Sequence, residues 1–283
     1  MNTLSDLLTL EELAADRFRC LSMISDEKRV FGGQLLCQAL LAAGRTAPNV
    51  SCNSLHVLFV GPGEASKPFE IDVTRIRDGR SFASRQVTVR QSDKLILSAM
   101  ASFHRGDDGP EHELNALEVP RPEDLKDQRE VRHANAAANG KAARTYSAET
   151  MLDARPFEMP VDESAGVEGR RCLWIRSRAP LADEPILHQA AIAYASDMGM
   201  VNVSLRPHIA YGDGRPIDFA SLDHALWFHR PARADEWLLC VQRSPAAVAG
   251  RGLAFSHIYT REGALVATCA QESLVRFARE RLG

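Results

Sequence analysis

The sequence predicts an α+β protein of two repeats, each a buried helix followed by strands of an antiparallel sheet that curves around it. Three observations predict this. Two apolar stretches of helical period, one entered at Gly32 and one at Leu187, are each followed by segments of strand-like period. Landmarks recur at separations that drift while the order of elements persists: 155 residues from Gly33 to His188, 168 from His56 to His224 and 171 from Arg80 to Arg251. That is the signature of a diverged internal duplication. The first helix is apolar nearly all round, so it must be wrapped by other structure, and two wrapped units can join sheet edges into one longer, continuous sheet.

The elements follow in order. The stretch MNTLSDLLTLEELAADRF places Leu4, Leu7 and Leu8 at helical spacing. With Asp6, Glu11 and Glu12 and no basic start, it predicts a short helix and no signal or transit peptide. A buried helix then runs through Leu35, Leu36, Ala39, Leu40 and Ala43, entered through Gly32 and Gly33 and left at Gly44 and Pro48. Strands are predicted at Ser54–Val60, Phe69–Ile76 and Phe82–Arg90, with a turn at Arg77-Asp78-Gly79, and a fourth at Leu95–Phe103 after Gln91-Ser92-Asp93. From Arg105 to about Arg170 the texture is charged and weakly periodic, with a short strand candidate at Arg155–Val161, and a better one follows at Cys172–Arg176. The second helix, LHQAAIAYASDMGM, leads to strands at Leu222–Phe228, Trp237–Arg243, Leu253–Thr260 and Leu265 to about Phe277. The resulting division is an N-terminal repeat over 1–107, a linker or peripheral segment over 108–153 and a C-terminal repeat over 154–283.

Composition narrows the classes of function. The 283 residues are 45% hydrophobic and 25% charged, and 34 Lys and Arg against 37 Asp and Glu give a net charge of -3. No global attraction to nucleic acid or anionic membrane follows, and a polyanionic ligand would need a local basic patch. No run approaches the roughly 18 apolar residues of a membrane span, and ARERLG is not an S-K-L type peroxisomal address. Cysteines at 20, 37, 52, 172, 240 and 269 never reach C-x-x-C spacing. They read as reduced thiols of a cytoplasmic protein, with neither a disulfide framework nor a metal site.

The motifs VFGGQLLCQAL, RDGRSFASRQV, AYASDMGM, SLDHALWFHRP, EWLL and ATCAQES, in this order and spacing, closely resemble the acyl-CoA thioesterase II family, the TesB-like double-hotdog thioesterases. The likeness runs from about Leu7 to Phe277, apart from a stretch around Asp108 to Thr150. It implies a double hotdog fold, hydrolysis of fatty acyl-CoA to free fatty acid and CoA, and no metal or organic cofactor. It also implies a homodimer or homotetramer formed through the sheets. The catalytic group it implies is Asp197 in YASD, Ser221 in ASLDH and Gln271 in CAQES. Many members show Thr where this chain has Ser221; a hydroxyl is kept, so tuning rather than loss is expected.

The residue types suit that chemistry. Thioester hydrolysis needs water made nucleophilic, and a held carboxylate can take its proton. Asp197 lies on a helix with Ala190, Ala191, Ala193 and Ala195, where an ionisable group needs partners, while the matching QLLCQALLAAG carries no acid. The alternative is a polar residue closing a helix that ends near Gly199. Ser221 and Gln271 each offer a donor and an acceptor and together can fix one water, or each simply satisfies nearby backbone. Strand parity sets Ser221 with Asp223, Ala225, Trp227 and His229, opposite Leu222, Leu226 and Phe228, so a strand start or bulge is expected at Ser221.

Other candidates are weaker. His224 and His229 invite a metal or triad reading, but, five apart, they fall on opposite strand faces and cannot share a ligand. No G-x-S-x-G elbow is present. His56 is a base or, as is commoner, a satisfied core residue. Arg75, Arg77, Arg80, Arg85 and Arg90 either meet CoA phosphates or line a solvated sheet face, with Arg75 and Arg77 on one side. Gly32 and Gly33 either bare N–H groups to an oxyanion or permit close packing. Two rival functions stay in view: a hotdog hydratase or dehydratase, which would need a His and acid pair, and a non-catalytic acyl-CoA binding protein.

Overall fold

A computed structural model describes residues 3–21, 23, 28–65, 67–115, 118–142, 146–158, 169–209 and 217–278. The first helix, α1 (Leu4–Leu7), is a single turn. The chain then forms a hairpin of β1 (Glu11–Ala14) and β2 (Arg17–Cys20), where the sequence predicts only a short helix. Alternation explains the difference: Phe18 and Cys20 are buried while Arg17 and Arg19 reach Glu70 across the sheet. The long helix α2 (Gly32–Arg45) follows, then β3 (Ser51–Phe59), β4 (Phe69–Asp78), β5 (Phe82–Gln91) and β6 (Lys94–His104).

The connecting segment has structure of its own. After a 3-10 turn at Pro122–Asp124 come α3 (Gln128–Ala138) and α4 (Ser147–Met151), then β7 (Leu152–Phe157) and β8 (Gly169–Ser177). The tail of the expected Arg155–Val161 strand lies outside the described residues. Charged pairs tie the segment down, Arg178 to Asp127 at 2.6 Å and Arg155 to Asp153 at 3.1 Å, with Arg132 on Glu149. Val119 and Leu125 cover Trp174, Leu239 and Tyr259 on the outer sheet face, and Trp174 donates its indole N–H to Pro120 O at 2.9 Å. Weak periodicity here reflects a segment held by ions and one apolar patch rather than by an amphipathic face.

The second helix is broken. α5 (Pro185–Ser196) ends where Gly199 takes φ +90, and α6 (Met200–Ile209) then sets off over the sheet. A side chain at Gly199 would start 1.8 Å from an Arg171 guanidinium nitrogen, so glycine is required by space as well as by conformation. β9 (Ile217–Ser221), β10 (Asp223–Phe228), β11 (Leu238–Val248), β12 (Arg251–Thr260) and β13 (Leu265–Phe277) complete the chain.

All thirteen strands of the described residues join in one sheet, in the order β1-β2-β4-β5-β6-β3-β10-β13-β12-β11-β8-β7, with β9 on β13. Read outward from the β3–β10 junction, β3-β6-β5-β4-β2-β1 matches β10-β13-β12-β11-β8-β7, so the duplication inferred from sequence is a repeat of strand plan. At the junction Val57 stands opposite His224 and His56 opposite Ala225. Paired residues share a face, which sets Val57 and His224 inward and His56 and Ala225 outward.

The two central helices run antiparallel in contact. A Cβ at Gly33 would meet Tyr194 O at 2.3 Å, and one at Gly44 would meet Ile186 Cδ1 at 2.4 Å, so each helix start lies against the other's end. Leu36, Leu40, Leu41, Ala190 and Ala193 are fully buried there, in a core that runs through both repeats. This is the double hotdog architecture the resemblance implies.

Candidate active site

The α5–α6 break creates the site. Asp197 is the C-cap of α5 and is buried, at 6% exposure. A carboxylate at a helix C-terminus opposes the helix dipole, and here the neighbouring helix compensates. Gly33 N–H, in the first turn of α2, donates to Asp197 Oδ2 at 2.8 Å. Both glycines are explained by this contact: a Cβ on Gly32 would stand 2.7 Å from Asp197 Oδ2, and one on Gly33 would strike α5 backbone. Close approach and an N–H donor are thus one device, directed at Asp197.

Ser221 reaches the inner face through a bulge. Ala225 stands opposite Ala270 while Ser221 stands opposite Ser273, four steps along one strand against three along the other. The extra residue reverses parity, so Ser221 joins Gln271 and Ser273 on the inner face. Leu222 N–H donates to Glu272 O at 2.9 Å, and Glu272 N–H donates to Asp223 Oδ1 at 2.8 Å, which replaces the ladder bond the bulge removes.

Gln271 is fully buried at the centre of β13. Its Nε2 donates to Ser221 Oγ at 3.0 Å, and its Oε1 lies 2.7 Å from His224 Nδ1. His224 Nε2 is in turn 2.9 Å from Ser196 Oγ, the residue before Asp197. Burial pushes the Asp197 carboxyl above its ordinary value, against the opposing pull of His224, the Gly33 N–H and hydrogen bonds from Gln271 and Ser221. Burial likewise lowers His224, with Asp197 and Gln271 pulling the other way. The three residues taken from the motifs therefore converge from α5, β9 and β13, joined by Gly33 of the other repeat. The arrangement offers a carboxylate with one oxygen pinned, plus a hydroxyl and an amide able to hold a small polar molecule beside it.

His224 is a site residue that sequence reasoning misses, since the metal and triad readings it invites there both fail on strand parity. His56 sits on the outer face, exposed, with its ring edge-on to Trp227 at 5.3 Å. The arginines also divide differently from expectation. Arg75 pairs with Asp16 at 2.9 Å, and a register shift between Arg75 and Arg77 breaks their common face. Arg85 is buried at 1% exposure and binds Thr46 Oγ1 and O, each at 2.7 Å. Thr46 is the C-cap of α2, the position Asp197 holds on α5. Where the second repeat carries a carboxylate, the first carries a threonine saturated by arginine.

Comparison with known proteins agrees with this fold. A family model described as acyl-CoA thioesterase N-terminal domain matches residues 23–104, and one described as acyl-CoA thioesterase C-terminal domain matches 122–275. Acyl-coenzyme A thioesterase 8 of Homo sapiens is 34% identical over 281 residues, covering 95% of this chain and 88% of that protein. Acyl-CoA thioesterase 2 of Haemophilus influenzae is 32% identical over 288 residues, covering 98% of each. The crystal structure of an acyl-CoA thioesterase II, TesB2, from Mycobacterium marinum has a TM-score of 0.81 at 34% identity, covering 97% of this chain and 98% of that one.

Proposed function

This chain belongs to the acyl-CoA thioesterase family, and on that premise we propose that it hydrolyses fatty acyl-CoA with Asp197 as general base and Ser221 and Gln271 orienting the attacking water. Water adds to the thioester carbonyl carbon as Asp197 takes its proton. The C–S bond then breaks, and that proton passes to the departing sulfur, leaving free acid and CoA. Gly33 N–H occupies Oδ2 of the base, which leaves Oδ1 for the water. Burial helps, because a base held above the ordinary carboxylate range removes a proton better as long as it stays ionised.

The observation that carries this reading is the 3.0 Å bond from Gln271 Nε2 to Ser221 Oγ beside a carboxylate that both serve. The His and acid pair that a dehydratase would use is present in space as His224 and Asp197. Both imidazole nitrogens are engaged, one by Gln271 and one by Ser196, which favours the thioesterase reading over the dehydratase one. A homodimer or homotetramer in the cytoplasm completes the proposal.

Incubation of the pure protein with palmitoyl-CoA and a thiol-reactive dye tests it. Steady release of free thiol is expected. Tight binding without release would instead mark an acyl-CoA binding protein, and hydration of an enoyl-CoA without thiol release would mark a hydratase; either result overturns the proposal.

A further inference from the structure

Gln271 carries one acceptor oxygen and two N–H donors, and turning its amide over changes their places without changing its shape. Its direction decides whether the site works. An ionised carboxylate only accepts hydrogen bonds, so Gln271 must present N–H toward Ser221 and Asp197. Its oxygen must then face the other way, onto His224 Nδ1 at 2.7 Å. Two acceptors cannot bond, so Nδ1 must carry a hydrogen; Ser196 Oγ lies 2.9 Å from both His224 Nε2 and Ala193 O, and its one hydrogen turns from Ala193 O to Nε2 when the ring is uncharged. His224 is 1% exposed on the inner face, enclosed between α5 and β13. It is therefore shut off from solvent, and its two ring nitrogens connect the residue before the base to the amide that serves it.

We propose that His224 is a positioning residue that keeps its proton on Nδ1 and thereby locks the Gln271 amide with its N–H toward Ser221 and Asp197. The proposal rests on the thioesterase reading above, because only a water-orienting Gln271 makes its direction matter. The lock follows from polarity: the carboxylate fixes the amide, the amide fixes the imidazole tautomer, and the tautomer fixes the Ser196 hydroxyl.

Nitrogen-15 NMR of histidine-labelled protein reads the lock in the unaltered enzyme, with the His224 signals identified by their loss in His224→Asn. The expected pattern is an uncharged ring protonated at Nδ1; a ring protonated at Nε2 alone overturns the proposal. Kinetics supply the second arm. His224→Phe keeps a flat ring but no donor, and kcat for palmitoyl-CoA should fall about ten- to a hundredfold with KM little changed, the scale of one charge-linked hydrogen bond. Asn places an amide N–H near the lost Nδ1, so His224→Asn should recover about tenfold over His224→Phe. Equal kcat in the two variants, or full activity in His224→Phe, overturns the lock. Retention of kcat by Asp197→Asn would instead sink the general-base reading, whichever tautomer the spectra show.

Discussion

Ser221 and Gln271 illustrate how little a side chain's identity says before its surroundings are known. Each is an ordinary polar residue by sequence, and only the shared motif order singled them out. In the fold they meet at 3.0 Å beside Asp197. Since both only orient water, Ser221→Ala and Gln271→Ala should each lower kcat less than Asp197→Asn. Their effects on top of Asp197→Asn should be far below additive, because the group acts as a unit; steady-state kinetics of the single and double variants check this, and additive losses would mean separate roles. The buried carboxyl gives a pH signature. A base must be ionised to act, and burial raises the Asp197 pKa. The acid limb of kcat/KM should therefore lie above the roughly 3.9 of an unperturbed aspartate, and a limb at or below that value would show that the titrating base is elsewhere. His224 was not legible in the same way. Its role depends on which residue of β13 it meets, and that register is set far away in sequence.

At the scale of elements, the site depends on two interruptions that apolar periodicity hides. One is the break between α5 and α6. The Ala-rich run reads as a single helix to Met200, but a backbone turn at Gly199, packed against Arg171, ends it and leaves Asp197 at a cap. The other is the bulge beside Ser221. The conflict of parity in the sequence pointed to it, while the device that holds it, Asp223 on Glu272 N–H at 2.8 Å, is visible only in the fold. Asp223→Ala removes that acceptor and frees the bulge to slip, turning Ser221 away. Asp223→Asn keeps a carbonyl oxygen there. The expected order of kcat is therefore parent, then Asn, then Ala, with Ala lower by about tenfold, the worth of one buried hydrogen bond; full activity in Asp223→Ala would show that the bulge holds without it. The β1–β2 hairpin escaped notice for a related reason, since four-residue strands give too short a run for period two to stand out from the nearby leucines.

The whole molecule is legible through its duplication. Recurring motifs predicted two wrapped helices and a joined sheet, and β3 paired with β10 is that joint. What the motifs could not say is that the two helix ends diverged in opposite senses, toward a carboxylate at Asp197 and toward a threonine bound by buried Arg85 at Thr46. Burial of titratable groups also sets a global property. His188, His224, His229 and His257 are all lowered by burial. As pH falls below about 6.5 the unfolded chain binds protons before the folded one, so stability is lost in that direction. Tm should be lower at pH 5.5 than at pH 7.5, and an equal or higher Tm at pH 5.5 would contradict this. A molecule whose α5 ends on a carboxylate while α2 ends on a threonine should lose its chemistry with that one group. Asp197→Asn keeps shape and some hydrogen bonding but cannot take a proton from water. With folding verified by circular dichroism, kcat for acyl-CoA hydrolysis should fall by roughly a hundred- to ten-thousandfold, the usual worth of a general base, while KM changes little. Equal kcat in Asp197→Asn and the parent would show that the proton goes elsewhere.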